Sequence, residues 1–433
     1  MIDFLLLYEN KSREMEGLCL LKMELEKRGY YVVLDQVQYF YKKRYKVKVV
    51  VVPFLYNNND IYRYIYCICG KVNKILNLRW EQIYSRKMEE NLASFFYPKG
   101  EAKKVIQLCW GEAEADKLLK LGVRKELIFI TGPIHLDLIT KPGYFEKREY
   151  LQKKYRLAEN KKWILFISSF SNATFTEKEK IEAMKMLGKE RVDFIDLSIK
   201  SKKEILEWFK QIIKEKNDQY EIIYRPHPSE KKDDILRNLE AKNKGFHIIT
   251  DDSVGQWIAC SDFVLNWYST SAIQSQLLKK GNAILRPIPI SYEMDLEIFS
   301  DATVIDSYKG LVEYLSSKAD ALMDNFVFNK YYFFDSTYAY QRIANICQEV
   351  LNNNALSKIR YNTILHETSW FERLKFEILY KLYVPLLRFL KNKKLSTLFS
   401  GSVSYDMVSR NTVAESELSS IKKRLSKILG KGE

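Results

Sequence analysis

The chain has 433 residues, 46% of them hydrophobic and 14% aromatic, and a formal net charge of +15. This length is too great for one ordinary domain, and the apolar content excludes a disordered protein, so we expect two domains and an extension. Glycine is scarce, and the glycine-rich patterns of dinucleotide-binding and P-loop proteins do not occur, so a bound phosphate must be held by other groups.

The N-terminus has the pattern of a buried strand. Residues 2–8 (IDFLLLY) are apolar, but they lack the basic region and the small-residue cleavage site of a signal peptide. The longest apolar run elsewhere, at 49–56, is far shorter than the roughly 20 residues that span a bilayer. The six cysteines are scattered through apolar runs, which is typical of reduced thiols. We therefore predict a cytoplasmic protein.

Strand and helix patterns alternate through the first part of the chain, which we assign to an N-terminal Rossmann-like domain of residues 1–145. After the first strand, Asn10 or Ser12 is the expected N-cap of an amphipathic helix that runs to about Lys27 and is ended by Gly29. This alternation indicates a mostly parallel sheet, because parallel strands need crossover connections. The other predicted elements are strands at 30–35, 48–55, 105–110 and 127–132 and a helix at 112–121.

A charged stretch without a strand signal, residues 146–162, is the predicted linker to a second Rossmann-like domain at 163–350. The remainder, 351–433, is a basic and amphipathic extension that we expect to be helical. The predicted class is therefore α/β, with ligands at the carboxyl ends of the strands, in the cleft between two domains. The predicted elements of the second domain are strands at 163–170, 221–226, 247–250, 262–267 and 283–287, with helices near 202–216, after Ser253 and near 270–279.

Three hydroxyl residues, Ser269, Thr270 and Ser271, stand between a predicted strand and the helix that follows it. The N-terminus of a helix presents unpaired N–H groups and the positive end of the helix dipole, both of which favour a phosphate. One hydroxyl is enough to cap a helix, so capping alone remains an alternative. We favour a phosphate-binding role for the cluster.

A histidine lies between two prolines at the end of another predicted strand. Pro226 and Pro228 restrict the backbone around His227, which keeps its imidazole aimed in one direction. Arg225 precedes them with a planar cation that suits phosphate oxygens. We expect His227 to donate a hydrogen bond to a phosphate and to stabilise the charge of a departing phosphate. The alternative is a purely structural histidine.

Together these segments resemble the GT-B-fold transferases that build bacterial surface polysaccharides. In the sialyltransferases and polysialyltransferases of this group, a His-Pro motif and a Ser-Ser or Ser-Thr motif bind the cytidine monophosphate part of the donor. Teichoic-acid polymerases and some capsule Kdo transferases have similar segments. The start of the chain, YENKSRE at 8–14, is similar to that of surface-carbohydrate biosynthesis proteins. The matching segments of the first domain are Cys109-Trp110-Gly111-Glu112, Leu121-Gly122-Val123 and Thr131-Gly132-Pro133-Ile134-His135-Leu136-Asp137.

The resemblance implies a GT-B fold, in which two Rossmann-like domains face a central cleft, the first binding the acceptor and the second the nucleotide donor. It implies a glycosyltransferase of capsule or lipopolysaccharide biosynthesis that moves a sugar from a CMP-sugar to a lipid-linked or oligosaccharide acceptor. Transfer of a polyol phosphate from a CDP-polyol, and of a sugar from a UDP-sugar, remain alternatives. Trp267 stands where the teichoic-acid enzymes have an aspartate, which disfavours the CDP-polyol alternative.

A transferase that inverts the anomeric centre needs a base near the acceptor hydroxyl. Glu9 follows the first strand, and the resemblance places an acid in this domain, so Glu9 is the candidate base, with Glu14 and Glu112 as competitors. These acids also suit a solvated helix start, and a retaining enzyme needs no such base. His135 and Asp137 are further acceptor-side candidates, although Asp137 is equally suited to capping the next segment.

No metal site or cofactor is predicted. The Asp-x-Asp motif of metal-dependent sugar transferases does not occur, and the histidines lack the spacing of zinc ligands. We expect the donor phosphate to be neutralised by Arg225, His227 and helix amides. The net charge leaves a nucleic-acid-binding protein as a remote alternative, but no nucleic-acid-binding motif occurs, so we expect no nucleic-acid partner.

The C-terminal extension is rich in basic residues. Its segment 371–394 combines large apolar side chains with Lys and Arg, and as one helix, interrupted near Pro385, it has the composition of a helix that lies on an anionic membrane. Residues 416–429 have the pattern of a second basic amphipathic helix. The alternative is packing on the protein itself or on another copy. We predict peripheral association with the inner face of the cell membrane through residues 370–433.

Overall fold

The structure is a computed structural model that describes residues 1–37, 45–92, 94, 96–187, 189–230, 233–317, 325–353, 356, 359–378 and 411–430. The chain forms two compact units, and each is built on a parallel six-stranded sheet with helices around it. The predicted α/β class with two Rossmann-like units is confirmed. Unit 1 comprises Met1–Gln82, Met88–Asp137 and Asn329–Glu433, and unit 2 comprises Ile83–Lys87 and Leu138–Phe328.

Unit 1 contains the first six strands. They are β1 (Ile2–Tyr8), β2 (Val32–Gln36), β3 (Val47–Val52), β4 (Ile75–Asn77), β5 (Ile106–Cys109) and β6 (Ile128–Ile130). The strand order is β2-β1-β3-β4-β5-β6, and neighbouring strands are parallel. The order reverses between β1 and β3, and open α/β sheets bind ligands at the carboxyl ends of the strands beside such a reversal.

Unit 2 contains the other six strands. They are β7 (Lys162–Ile167), β8 (Tyr220–Arg225), β9 (Phe246–Ile248), β10 (Phe263–Asn266), β11 (Asn282–Leu285) and β12 (Thr303–Ile305). Their order is β12-β11-β10-β7-β8-β9, again parallel throughout, which is the Rossmann order with its reversal between β7 and β10. The strands of this sheet are almost continuously apolar and buried. This burial shows that both faces of the sheet are covered.

Helices connect the strands in both units. In chain order they are α1 (Lys11–Lys27), α2 (Asn58–Ile61), a π-helix (Tyr62–Tyr66), α3 (Cys67–Cys69), α4 (Arg86–Glu90), α5 (Glu112–Lys120), α6 (Arg148–Tyr155), α7 (Glu177–Leu187), α8 (Lys189–Lys216), α9 (Asp234–Lys242), α10 (Val254–Cys260), α11 (Ala272–Leu277), α12 (Tyr308–Ser316), α13 (Asn325–Tyr331), α14 (Ala339–Asn352), α15 (Tyr361–Glu367), α16 (Trp370–Ile378) and α17 (Glu415–Gly430). Single 3₁₀ turns lie at Gly100–Lys104, Lys125–Leu127, Ile134–Leu136 and Glu297–Phe299.

The predicted start and stop signals of the first helix are confirmed. The Asn10 side chain accepts the backbone N–H of Ser12 at 3.1 Å and caps α1. Gly29 ends the helix with a φ of +88°, a left-handed conformation that favours glycine. Helix α1 therefore begins directly after β1, and its first turn lies at the edge of the sheet formed by the carboxyl ends of the strands.

The two compact units divide the chain differently from the predicted domain boundaries. The predicted linker 146–162 contains α6, whose Leu151 is fully buried in the core of unit 2. Helix α14, which the prediction placed at the end of the second domain, packs against α1 and belongs to unit 1. The segment that begins at residue 329 is therefore part of the first unit. No local sequence pattern predicts that the chain returns to this unit.

After unit 2 the chain returns to unit 1, where its backbone packs closely against two glycines. The Phe333 N–H donates to the Trp110 carbonyl oxygen at 2.7 Å. A Cβ on Gly111 would lie 2.5 Å from the Tyr331 carbonyl carbon, and a Cβ on Gly132, whose φ is +76°, would overlap the Phe333 carbonyl oxygen. Both positions require glycine, so these two glycines of the resemblance have a packing role in this chain.

Parts of the predicted tail are described. Helix α17 packs on α1 with Leu425 and Ile428 buried, and Lys422 forms an ion pair with Glu26 at 2.9 Å. The apolar side of this basic helix is therefore covered by unit 1. The rest of the predicted helix 371–394 beyond α16 lies outside the described residues. Among the helices that are described, none combines the length and apolar content needed to cross a membrane.

Candidate functional site

The two strongest sequence candidates lie at one edge of the unit 2 sheet. His227 follows β8 and the Ser269–Ser271 cluster follows β10, and both strands are hydrogen-bonded to β7 on opposite sides. Because the three strands are parallel, their carboxyl ends share an edge. Strands in a sheet are spaced by about 4.8 Å, so the ends of β8 and β10 are separated by about 10 Å. The sheet thus places the two predicted phosphate-binding segments on either side of the end of β7.

The His227 imidazole is held as a neutral hydrogen-bond donor. Its Nδ1 accepts the backbone N–H of Ser229 at 3.1 Å, so in the neutral ring the proton lies on Nε2. Partial desolvation lowers the pKa of His227, and the nearby Glu230 carboxylate opposes this effect. The residue is nevertheless exposed at the surface of unit 2. An exposed Nε2–H with a fixed tautomer suits recognition of a phosphate oxygen.

A carboxylate that the sequence reasoning missed supports this turn. The Glu230 side chain accepts the Tyr224 hydroxyl at 2.7 Å and the His227 backbone N–H at 3.2 Å. It also accepts the Ser168 hydroxyl and pairs with Lys202 at 3.0 Å. Glu230 lies only three residues after His227, but its buried side chain pairs with a lysine from a separate helix. No local sequence pattern could therefore have identified it.

Arg225 has structural contacts. Its guanidinium donates to the carbonyl oxygens of Asp251 and Asp252, in the turn that follows β9. Asp252 has a φ of +59° and its carboxylate accepts Lys154 Nζ at 2.9 Å. Arg225 therefore stabilises a strained turn next to the His-Pro segment, and its phosphate-binding role stays a prediction.

The hydroxyl cluster forms a compact turn before α11. The Ser269 N–H donates to Asn266 Oδ1 at 3.1 Å, and Ser269 Oγ accepts the Ser271 N–H at 3.3 Å. The Ser271 side chain makes no capping hydrogen bond within the part of the chain that the structure describes, and Thr270 is exposed. One of the three hydroxyls is thus used by the backbone. Helix α11 has only six residues and begins at Ala272, two residues later than predicted.

An arginine that the sequence reasoning did not single out lies behind this turn. Arg286 directly follows β11, is 5% exposed, and donates to Asp295 at 2.9 Å. Its guanidinium carbon lies 5.8 Å from the ring centroids of both Trp267 and Tyr268, within cation–π range. Burial lowers its pKa, which Asp295 opposes. Arg286 adds a fixed positive charge beside the strand end that carries the hydroxyls.

In unit 1, Glu9 directly follows β1 at the reversal of strand order. Its backbone N–H donates to Glu14 at 2.8 Å, and Arg13 lies 4.0 Å from its carboxylate. Burial and then the Glu14 charge raise the pKa of Glu9 to about 7, against the opposing effect of Arg13. A carboxyl group with such a pKa can exchange a proton near neutral pH, which is what a general base requires.

Glu14, the first competitor, has a supporting position. Its side chain is fully buried and accepts the Glu9 N–H and the Arg13 guanidinium, the latter at 2.9 Å. Burial raises its pKa, and Arg13 opposes the shift. Arg13 also pairs with Glu81 at 2.9 Å. Glu14 therefore fixes the backbone of Glu9, while Glu112, the second competitor, is exposed at the start of α5.

His135 lies among aromatic rings in unit 1. Its ring centroid is 5.6 Å from that of Trp80 and 5.0 Å from that of Trp110. Burial, together with the charge of Arg13, lowers the pKa of His135 to about 3, so it is neutral at physiological pH. Its buried Nδ1 has no hydrogen-bond partner among the described residues. An acceptor-side role for His135 stays a prediction.

Asp137 caps a distant helix. Its two carboxylate oxygens accept the backbone N–H groups of Ala339 and Tyr340, at the start of α14. These contacts give Asp137 a capping role, although the helix it caps is not the next segment but α14, which follows unit 2 in the chain. An acceptor-side role for Asp137 stays a prediction. The described residues contain no group of three His, Cys, Asp or Glu side chains arranged to hold a metal ion.

Comparison with known proteins identifies the fold and leaves the activity open. No protein-family model matches the chain, and no curated protein matches it. A histidine-to-alanine variant of the wall teichoic acid polymerase TagF matches with a TM-score of 0.52 and 12% identity, over 81% of this chain and 89% of that chain. A TagF histidine-to-asparagine variant soaked with CDPG has the same identity and coverage and a TM-score of 0.51. An S. aureus MnaA–UDP structure has a TM-score of 0.42 and 14% identity, over 81% of this chain and 97% of that chain. Together with the two parallel six-stranded sheets, the two TagF matches show that the chain has the GT-B fold.

Proposed function

We propose that this protein is a glycosyltransferase of capsule or lipopolysaccharide biosynthesis that transfers a sugar from a CMP-sugar donor to a lipid-linked or oligosaccharide acceptor. The observation that carries the proposal is the common sheet edge of His227 and the Ser269–Ser271 cluster in unit 2. In a GT-B fold this edge is where the nucleotide donor is expected. The resemblance of both segments to cytidine-nucleotide-binding motifs supports the choice of donor.

The donor phosphate is bound by neutral hydrogen-bond donors beside fixed positive charge. His227 offers its Nε2–H, and Thr270 and Ser271 offer hydroxyls at the start of α11. Arg286 supplies a buried positive charge behind the hydroxyl turn. These groups stabilise the negative charge that grows on the phosphate as its bond to the sugar breaks, so we propose that the reaction needs no metal ion.

Unit 1 supplies the base. Glu9 accepts the proton of the acceptor hydroxyl, and the freed oxygen attacks the anomeric carbon as the cytidine nucleotide leaves. Its pKa of about 7 keeps a large fraction of the carboxylate available near neutral pH. This mechanism inverts the anomeric centre, and the stereochemistry of the product tests it directly.

Transfer of a polyol phosphate from a CDP-polyol is the second candidate function. The TagF structure soaked with CDPG, which shares the GT-B fold at 12% identity, favours it. Trp267 argues against it, since the resemblance leads us to expect an aspartate there. Both candidates use a cytidine nucleotide, whereas a UDP-sugar donor, the third possibility, does not.

We further propose that the chain binds an anionic membrane surface through α16, where a lipid-linked acceptor would be found. Trp370, Phe371, Leu374 and Ile378 are exposed large apolar side chains that lie on one side of this helix. The opposite side faces α2, where Glu372 accepts a hydrogen bond from the Asn59 side chain at 2.9 Å. Exposed apolar residues beside basic ones are typical of interfacial helices. Helix α17 is not part of this surface, because its apolar side is covered.

Thermal unfolding of the full chain with CMP, CDP, UDP or GDP tests the donor. We expect CMP or CDP to raise the melting temperature more than UDP or GDP, because binding to the folded state alone stabilises it. We expect the shift to vanish in His227→Ala. Equal shifts for all four nucleotides, or none, would refute the cytidine assignment. A screen of CMP-sugars and CDP-polyols then separates the two candidate functions.

A further inference from the structure

Beneath the His-Pro turn lies a carboxylate that the proposed reaction does not use. The Glu230 side chain is fully buried, yet it is in contact with four donors. One oxygen accepts the Tyr224 hydroxyl at 2.7 Å and pairs with Lys202 Nζ, which lies 3.0 Å away. The other oxygen accepts the Ser168 hydroxyl and the His227 backbone N–H, the latter at 3.2 Å.

These contacts join the His-Pro turn to three elements of unit 2. Ser168 follows β7, Tyr224 lies in β8 and Lys202 lies in α8. The backbone N–H of Glu230 also donates to the His227 carbonyl oxygen at 2.8 Å. The N–H and the carbonyl of His227 are therefore both bonded to one residue, and that residue is fixed by the sheet and by a helix.

We propose that Glu230 is a positioning residue that holds the His227 imidazole with its Nε2–H directed outward for the donor phosphate. The ring contact that sets the tautomer is the Ser229 N–H donated to Nδ1, and it exists only while residues 227–230 keep this turn. Glu230 does not touch the donor, since its side chain is buried behind the turn. The inference rests on the proposed function only in naming the donor phosphate as the ligand of His227. The fixed tautomer does not depend on that function, because it is a property of the turn itself.

The charge and the two oxygens of Glu230 explain why a carboxylate occupies this position. The Lys202 ammonium and the His227 backbone N–H can only donate, and they contact different oxygens. A glutamine has one acceptor oxygen. If that oxygen faces Lys202, the glutamine NH₂ group faces the His227 N–H, and this hydrogen bond to the turn is lost. In the other orientation the NH₂ group faces the Lys202 ammonium, and the ion pair that joins the turn to α8 is lost.

The first test uses Glu230→Gln in the full chain and NMR of ¹⁵N-labelled histidine. The chain has only four histidines, and the signals of His227 are identified as those absent from His227→Gln. We expect one dominant Nε2–H tautomer for His227 in the wild type and a mixture of tautomers in Glu230→Gln. Because this measurement needs no nucleotide, its result is independent of whether the proposed function is correct.

The matched control is Asp233→Asn. Asp233 is the other partner of Lys202, at 2.7 Å, and its side chain caps α9 by accepting the Leu236 N–H, which asparagine can also do. This variant perturbs the same lysine without a direct contact to His227. We expect a wild-type tautomer in Asp233→Asn. A wild-type tautomer in Glu230→Gln, or an equal mixture in both variants, would overturn the inference.

The second test measures nucleotide binding. We expect Glu230→Gln to weaken CMP or CDP binding about tenfold or more, because a small displacement of a binding group has a large effect, while Asp233→Asn binds as the wild type does. If Glu230→Gln does not fold, Glu230→Asp retains the charge but is one methylene too short to keep both sets of contacts, and the same NMR result is expected. Absence of any CMP or CDP binding in the wild type would refute the proposed function but not the positioning role, which the tautomer decides.

Discussion

Asp137 caps the helix that begins at Ala339, although the long segment of unit 2, Leu138–Phe328, separates the two in the chain. One carboxylate oxygen accepts the Ala339 N–H at 2.7 Å, and the other accepts the Tyr340 N–H at 2.8 Å. The N-terminus of α14 is buried at these residues, so its N–H groups depend on this carboxylate for their hydrogen bonds. The contact is therefore part of what holds the returning chain on unit 1.

Replacing this cap should destabilise the protein. We expect Asp137→Ala to lower the free energy of unfolding by about 1–3 kcal/mol, because two buried N–H groups lose their acceptor. Chemical denaturation measures the change. Asp137→Asn, which keeps one acceptor oxygen, should lose less. If either variant instead kept full stability and lost acceptor binding, the acceptor-side role would replace the capping role.

Glu9→Gln should change how stability depends on pH. In the folded state the pKa of Glu9 is raised to about 7 from an ordinary value of 4.5, so the folded protein keeps a proton that the unfolded chain releases. Stability therefore falls as pH rises through this interval, and the variant removes that loss. A pKa shift of this size corresponds to about 3 kcal/mol, and partial solvent screening of the Glu9 side chain reduces it. We therefore expect the free energy of unfolding of Glu9→Gln, relative to that of the wild type, to be about 2 kcal/mol higher at pH 8 than at pH 4.

The same variant tests the proposed base. Transferase activity of the wild type should rise as pH increases through about 7, where Glu9 loses its proton, and Glu9→Gln should remove most of that activity. Glu126→Gln is the matched control, since Glu126 is an exposed carboxylate of the same unit and not a candidate base. A Glu9→Gln variant with wild-type activity at all pH values would eliminate Glu9 as the base.

Gly132→Ala should be far more damaging than Gly122→Ala. Both glycines have a positive φ, of +76° and +79° respectively, so each alanine variant bears similar backbone strain. Only the Cβ at Gly132 meets the Phe333 carbonyl, whereas nothing lies within 4 Å of a Cβ at Gly122. We expect a loss of about 1 kcal/mol at Gly122 and about 2–4 kcal/mol at Gly132. Equal losses in thermal or denaturant unfolding would contradict the packing role of Phe333.

Replacing Trp370 and Phe371 together by serine should reduce binding of the full chain to anionic lipid vesicles at least tenfold, because both side chains are largely exposed on α16. Vesicle flotation measures the effect, and added salt should weaken the wild-type interaction. Tyr31→Ser, which alters another exposed aromatic residue of unit 1, is the control. Equal flotation of all three proteins would remove α16 from the membrane proposal.

Local patterns predicted most of the fold. Strand β1 has the predicted bounds, and the caps at Asn10 and Gly29 were identified because apolar periodicity and cap residues are local signals. Strands β4 and β12, at Ile75–Asn77 and Thr303–Ile305, were not predicted.

The candidate site was predictable only in part. His227 is marked by its flanking prolines, and the resemblance added the cytidine donor. Glu230, Lys202 and Arg286 were missed because their contacts depend on residues from other elements of the sheet and helices. Likewise, no sequence pattern near Asp137 indicates that its carboxylate accepts the backbone N–H of Ala339.

The discontinuity of unit 1 has a consequence for protein synthesis. The ribosome releases all six strands of the first sheet early, but the residues that cover Gly111 and Gly132 emerge only after unit 2 has been made. Unit 2, almost entirely one continuous stretch, can complete its core while the first sheet still lacks its cover. A nascent chain halted near residue 328 therefore contains a complete unit 2 and an incomplete unit 1. The apolar surface of unit 1 is then still exposed to chaperones or to aggregation.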